Sequence, residues 1–243
     1  MKRSNRFDSV AFEEKVELLL ISLEIPYVDL HSYPIAFFHR SVLNELSLPE
    51  SNERVEYLGD AVLELITTEY LFKAFTTYQE GQLTDVRSAL VRGRNLADVA
   101  LRLGLQDIIL LSRGETQAGG NQNPYILANT FEALLGAIYL DLGIEEARKF
   151  VHAHIISTLS GIMEDELHID PKSNLQEIIQ ASHFVTPHYE LIAETGADHD
   201  KIYTVGAYLK DILIGQGTGS SKKKAQSSAA ENALERKKEW FGK

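Results

Sequence analysis

Three carboxylates fall close together in Asn52-Glu53-Arg54-Val55-Glu56-Tyr57-Leu58-Gly59-Asp60. On a helix Glu53, Glu56 and Asp60 stand at i, i+3 and i+7, within about 60° of one another. Val55, Leu58, Val62 and Leu65 then point the other way, giving an apolar back and an acidic front. A surface helix normally intersperses Lys and Arg to relieve like-charge repulsion. Here only Arg54 intervenes, and it projects sideways. Such a concentration of charge suits a solvated acidic face. It equally suits a hard cation held by oxygen ligands alone, which means Mg²⁺ or Mn²⁺. Gly59 inside the run costs about 1 kcal/mol against Ala, so a neighbour is expected to pack closely there. A second polar pair lies in residues 126–139, an otherwise apolar stretch in which Asn129 and Glu132 share a face at i, i+3. A buried carboxylate in that position requires a cation or a hydrogen-bonding neighbour.

The elements that carry these residues read as helices. Residues 8–23 place Phe12, Val16, Leu19, Leu20 and Leu23 at helical spacing behind possible caps at Asp8 and Ser9. A helical stretch through Phe37, Phe38, Val42, Leu43 and Leu46 follows and stops before Pro49. Ser51 or Asn52 can cap the acidic helix, which runs to about Phe75. Residues 83–91 and 96–103 read as further helices, the latter closed by Gly104. Residues 114–124 are rich in Gly, Gln and Asn and read as a loop. Residues 126–139 are apolar nearly all round, the mark of a central buried helix. A last helix covers 145–163, and no strand pattern occurs before residue 165.

Beyond that point the pattern changes. Residues 173–181 read as a helix, 188–194, 203–208 and 210–217 as three short strands, and 220–238 as a closing helix. The expected fold is therefore an all-α domain over 8–163, a charged linker over 164–169, and a small α+β domain with α-β-β-β-α order over 170–239.

Composition sets outer limits. The chain has 243 residues, 44% hydrophobic and 24% charged, an ordinary globular balance able to bury a core. It has no cysteine, which excludes disulfides, thiolate zinc sites and Cys nucleophiles. The polar start lacks the apolar core of a signal peptide, and no run nears the roughly 18 apolar residues of a membrane span. A cytoplasmic protein with no membrane partner is expected. The net charge of −11 taken alone argues against nucleic acid. However, residues 170–243 carry ten acidic and ten basic groups, so the whole excess lies in the first 169 residues. Two compositionally distinct parts are implied.

The nine residues 52–60, continued by Ala61-Val62-Leu63, closely resemble the signature of the ribonuclease III family. His39-Arg40-Ser41, Leu83-Thr84-Asp85-Val86-Arg87-Ser88-Ala89-Leu90-Val91 and Phe131-Glu132-Ala133-Leu134-Leu135-Gly136-Ala137 look like family blocks in family order. The C-terminal part is similar to a double-stranded-RNA-binding domain. Together these cover about residues 8–238. The resemblance implies a homodimeric, Mg²⁺-dependent nuclease that cuts both strands of an RNA duplex and leaves short 3′ overhangs, with ribosomal RNA precursors the first substrates to consider. It implies that Glu56, Asn129 and Glu132 ligate the metal, and that Asp60 joins Glu132 as a catalytic carboxylate. Glu53 and Glu80 match acidic positions that support the cleft. Asn129 stands where many members have Asp, which removes one negative charge and one general-base candidate. A weakened enzyme that mainly binds double-stranded RNA is the alternative this leaves.

In the C-terminal part, Lys222-Lys223-Lys224 open the last helix, where charge and free amides both favour phosphate. The run from Gly217 to Gln226 followed by Ala229-Ala230 resembles the phosphate-tracking region of the RNA-binding domain. The same likeness gives Ser173, Gln176 and Glu177 minor-groove contacts, and sends the loop around Pro187 and His199 to the next minor groove. His183, His188 and His199 lie on different elements, which argues against a metal site among them.

Overall fold

The computed structural model describes residues 7–164, 171–197 and 201–241. The chain divides into two compact units, Met1–His168 and Ile169–Lys243. The 164–169 linker expectation falls, but for Glu164, outside the described residues.

In the first unit the helices are α1 (Ser9–Ser22), α2 (Leu43–Leu46), α3 (Glu53–Ala74), α4 (Glu80–Leu90), α5 (Gly93–Arg102), α6 (Arg113–Gln117), α7 (Pro124–Leu142), α8 (Ile144–His154) and α9 (Leu159–Glu164). Helix α7 is the axis, with α3, α5 and α8 packed around it. Its Leu127, Phe131, Leu134 and Leu135 are fully buried, and each such side chain contributes roughly 1.5–3 kcal/mol. Length and composition would let α7 cross a membrane, but most of its surface is spent inside this core. The α3–α7 crossing is a contact of backbone on backbone. A methyl group on Gly59 would stand 1.8 Å from the Glu132 carbonyl oxygen, and one on Gly136 would stand 2.3 Å from that of Val55. Two glycines thus let the acidic helix and the Glu132 helix touch.

Several boundaries differ from expectation, each for a local reason. The stretch from Phe37 to Leu46 is not one helix. Phe38 is extended and pairs with Leu110 in an isolated parallel bridge, so only 3₁₀ turns and the short α2 form around it. Residues 114–124 are not a plain loop but hold α6 and a 3₁₀ turn, started by the Ser112 hydroxyl accepting from Glu115 N at 3.2 Å. Residues 145–163 break after His154, where Ser157 and Thr158 hydroxyls bond back to the Ala153 and Ile155 carbonyls. Asn52 sits at the N-cap of α3 without capping it. Its amide is buried and donates to Ala36 O at 3.2 Å.

The second unit holds α10 (Pro171–His183), β1 (His188–Thr195), β2 (Ile202–Leu209), β3 (Ile212–Gly219), α11 (Lys222–Glu235) and α12 (Lys237–Trp240). The strands form an antiparallel sheet in the order β1-β2-β3. Val205, Ala207, Leu209 and Ile214 bury against Leu175 and Ile179 of α10 and the alanines of α11. Gly215, Gly217 and Gly219 face α11, and a methyl group on Gly217 would lie 2.2 Å from Ala229 N. Small residues on both sides bring helix and sheet together. The expected 220–238 helix is interrupted at Arg236, where the chain turns so that the Trp240 indole donates to Ala233 O at 2.7 Å.

Candidate active site and duplex-binding surface

Helices α3 and α7 bring Glu56, Asp60, Asn129 and Glu132 to one place. The Asn129 amide lies close enough to the Glu56 carboxylate to favour its charged form, and Glu132 feels the charges of Asp60 and Glu56. Glu56 and Glu132 are half-buried, not sealed, and Asp60 is exposed. Burial first, then Asp60, Glu56 and Glu64, push the Glu132 carboxyl up to about 8. Glu56 is also raised, by burial and then by Glu53, while the nearby Asn129 amide opposes the shift. Both shifts have one physical cause: a partly desolvated cleft with more negative charge than its own cations balance. Among the described residues no group of three or more His, Asp or Glu draws close enough to hold a metal unaided. The donors at this place are nonetheless all oxygens, from carboxylates and one amide, and the charge excess calls for a cation. The residues fit Mg²⁺ or Mn²⁺.

Glu64 escaped the sequence analysis. It lies one turn beyond Asp60 and extends the acidic row, so the i+4 spacing was the available signal. Its carboxylate meets Arg87 Nε of α4 at 3.1 Å, and Arg87 also donates to the Thr68 hydroxyl at 2.9 Å. Glu53 sits at the mouth of the site, exposed, with Arg40 at 3.5 Å and the Ser51 hydroxyl donating to it at 2.9 Å. Glu80 begins α4, is exposed, and accepts from the Thr84 hydroxyl at 3.2 Å. It is not among the charges acting on Glu56 or Glu132. A small cavity of about 80 Å³ opens beside Glu56 and Asn129, walled also by His39, Arg40, Glu53 and Tyr125.

The apolar back of α3 is only half as expected. Val55 and Val62 are buried, but Leu65 is 60% exposed. With Tyr57 at 80% and Phe72 at 71%, it forms an uncovered stripe about 80° wide along the helix.

In the second unit Lys222, Lys223 and Lys224 are exposed on the first turn of α11. The Ser221 hydroxyl caps that turn, accepting from Lys224 N at 3.3 Å. Lys222 also lies 6.0 Å above the Tyr203 ring. Ser173, Gln176 and Glu177 are exposed on α10. His199 lies outside the described residues. His183 sits against Trp240 and Phe241, and His188 stacks on Tyr208, so these two do not share a site. Lys172, not singled out beforehand, donates to Gln226 Oε1 at 2.8 Å and ties α10 to α11.

Residues 33–159 match the family described as Ribonuclease-III-like, and residues 171–237 the double-stranded RNA binding motif. A protein named Ribonuclease 3 from Bdellovibrio bacteriovorus is 41% identical over 204 residues, which is 83% of this chain and 87% of that one. The chain belongs to the ribonuclease III family. Another relative named Ribonuclease 3, from Pelotomaculum thermopropionicum, is 39% identical over 224 residues, 91% of this chain and 93% of its own length. The solved nuclease domain of Campylobacter jejuni ribonuclease III is 39% identical, with a TM-score of 0.55 over 58% of this chain and 96% of that domain. Its description notes structural flexibility in the region involved in its dimer formation. The helical unit is thus a ribonuclease III nuclease fold, and the α-β-β-β-α unit a double-stranded-RNA-binding fold.

Proposed function

We propose that the chain is a Mg²⁺-dependent endoribonuclease specific for double-stranded RNA, leaving 5′-phosphate products with short 3′ overhangs. The convergence of Glu56, Asp60, Asn129 and Glu132 at the α3–α7 crossing carries this reading. In this assignment Glu56, Asn129 and Glu132 hold the metal and Asp60 acts beside them. A bound Mg²⁺ supplies a water made nucleophilic at neutral pH and neutralises charge growing on the phosphoryl oxygens. The chain's own residues do the rest. Asp60, exposed and one turn from Glu56, accepts hydrogen bonds from the attacking water and orients it. Glu132, pushed up to about 8 by burial and then by its acidic neighbours, gives up its proton when the site fills. Asn129, beside Glu56, favours the charged form of that carboxylate. Glu53 and Glu80 support the cleft.

Duplex recognition belongs to the second unit. Lys222, Lys223 and Lys224 follow phosphates, while Ser173, Gln176, Glu177 and the His199 loop read the minor grooves and their 2′-hydroxyls. Such contacts recognise shape, which suits processing of ribosomal and other RNA precursors in the cytoplasm. The exposed stripe of Tyr57, Leu65 and Phe72 supports a C₂ homodimer, which would bring two acidic clefts to one duplex, one for each strand. Light scattering that gave a monomer at micromolar concentration would count against the pairing.

The deciding experiment incubates the protein with a long RNA duplex, or either strand alone, in Mg²⁺. The duplex is cut and the single strands survive. Asn129→Asp restores a third carboxylate and lowers the Mg²⁺ midpoint about tenfold. If the natural protein leaves the duplex intact and Asn129→Asp cuts it, the chain is a duplex-binding protein and not a working nuclease.

A further inference from the structure

The turn that carries His39 is held from several sides. His39 N donates to Leu110 O at 3.2 Å, Leu110 N to Phe37 O at 2.8 Å, and Asn52 N to Phe38 O at 2.9 Å. The backbone before the ring is thereby fixed against the start of α3. The ring is fixed as well. Ser41 N donates to Nδ1 at 3.3 Å, and the Ser41 hydroxyl lies 2.8 Å from the same nitrogen while accepting from Ser112 N at 3.0 Å. A backbone N–H can only donate, so Nδ1 must present its lone pair. The neutral imidazole therefore carries its proton on Nε2. Burial chiefly keeps the ring neutral: it lowers the pKa, Arg40 adds to that, and Glu115 and Glu53 oppose it.

That Nε2–H meets no hydrogen-bond partner among the described residues, although the ring is half-buried. Nε2 is not among the buried atoms that lack a partner, so this donor is open to water or to a ligand that replaces the water. His39 lines the small cavity beside Glu56 and Asn129. Two other polar side chains there are committed: Asn52 to Ala36 O, and Glu53 to Ser51 and Arg40. Besides the Glu56 carboxylate, the cavity wall offers the His39 N–H, the hydroxyl of the exposed Tyr125 and the largely exposed guanidinium of Arg40, 3.5 Å from Glu53. His39 and Arg40 present donors to the same small cavity that Glu56 lines, and its volume of about 80 Å³ is of the order of a phosphate group.

We propose that His39 is a substrate-contacting residue, a fixed neutral Nε2–H donor that, with Arg40 beside it, hydrogen-bonds a non-bridging phosphate oxygen of the RNA strand cut at the Glu56–Asn129 site. The proposal rests on the ribonuclease reading given above. A neutral donor suits this cleft because it stabilises charge growing on the phosphate without competing with a metal for the carboxylates. It neither gives nor takes a proton in the reaction, and with its pKa held below the ordinary imidazole value by burial it adds no limb above about pH 6.5.

Two amide variants separate this role from a merely structural one. The terminal NH₂ of His39→Gln reaches about where Nε2 stands and keeps the donor. His39→Asn keeps the acceptor for Ser41 N, as a good N-cap does, but its amide falls short of the cavity. With a long RNA duplex and Mg²⁺, the Gln variant is expected to retain kcat within about fivefold, and the Asn variant to lose about 10²-fold, the usual cost of one such donor. The Mg²⁺ midpoint and the shape of the kcat–pH profile stay as in the natural protein for both. The opposite order, Asn active and Gln impaired, makes His39 a turn cap and overturns the proposal. Equal loss or equal retention overturns it too, as does a Mg²⁺ midpoint raised tenfold, which would mean that His39 orients a metal ligand. Failure of the natural protein to cut the duplex at all would instead remove the ribonuclease reading, before any variant is compared.

Discussion

At the α3–α7 crossing, Glu56, Asp60, Glu64 and Glu132 crowd one face with Arg87 as a balancing cation, and burial, then the neighbouring charges, raises the carboxyls of Glu56 and Glu132. At the start of α11, Lys222, Lys223 and Lys224 project into solvent from a capped helix end, and nothing buries them. The first arrangement stores unfavourable charge until a cation arrives. The second stores none, because water screens exposed lysines until phosphate replaces it. Chemistry needs the first, since a partly desolvated site gives each charge more leverage. Grip needs the second, since it must bind and let go along any duplex.

Separating the two functions by mutation tests this contrast. The largest effect is expected from Glu132→Gln, which removes the charge of a proposed metal ligand: cleavage falls by about 10³-fold or more, while duplex affinity measured by filter binding changes less than about twofold. Joint loss of both would mean that the acidic cleft also grips. Replacing Lys222, Lys223 and Lys224 together by Ala does the reverse. Affinity at low salt drops roughly 10²-fold and the log–log salt slope shrinks by about two to three, near 0.9 per lost phosphate contact, with kcat at saturating RNA preserved.

Proton linkage comes next in size. The Glu132 carboxyl is pushed up to about 8 in the folded protein, against about 4.3 in an unfolded chain. The folded state therefore keeps a proton that the unfolded chain releases. The stability this contributes is full below about pH 4 and is lost as the pH rises through about 8. Melting in metal-free buffer should show that decline, and Glu132→Gln should flatten it. In the proposed site Mg²⁺ would displace the same proton, so its midpoint should tighten by about tenfold per pH unit below 8 and level off above. Calorimetric titration across that range checks it.

The smallest effects concern the glycines, the one device both units share. Gly136→Ala forces α3 from α7, and Gly217→Ala forces α11 from the sheet. Each should cost roughly 1–3 kcal/mol, read from thermal or urea unfolding. Gly136→Ala should also slow cleavage by moving Glu132, whereas Gly217→Ala should weaken duplex binding alone.

Much of this was legible in residue order. The helical periodicities, the change to strand alternation after residue 165 and the grouping of acids on α3 all depend on local spacing, and local spacing is what a sequence states. The breaks around Phe38, after His154 and at Arg236 were not legible. They arise from a bridge to Leu110, from hydroxyls bonding back to the chain and from the docking of Trp240. Leu65 belonged by pattern to the buried side of α3, yet nothing in its own unit covers it.

By itself the sequence determined which residues could do chemistry and that Gly59 must meet a close neighbour, since both follow from side-chain type and helical repeat. Only the tertiary structure decided which neighbour that is. It set Glu132 against Asp60, drew Glu64 into the acidic group, and turned the imidazole of His39 so that one nitrogen is satisfied and the other is not. Burial and the approach of two helices decide such things, because a pKa and a tautomer belong to surroundings assembled from distant parts of the chain.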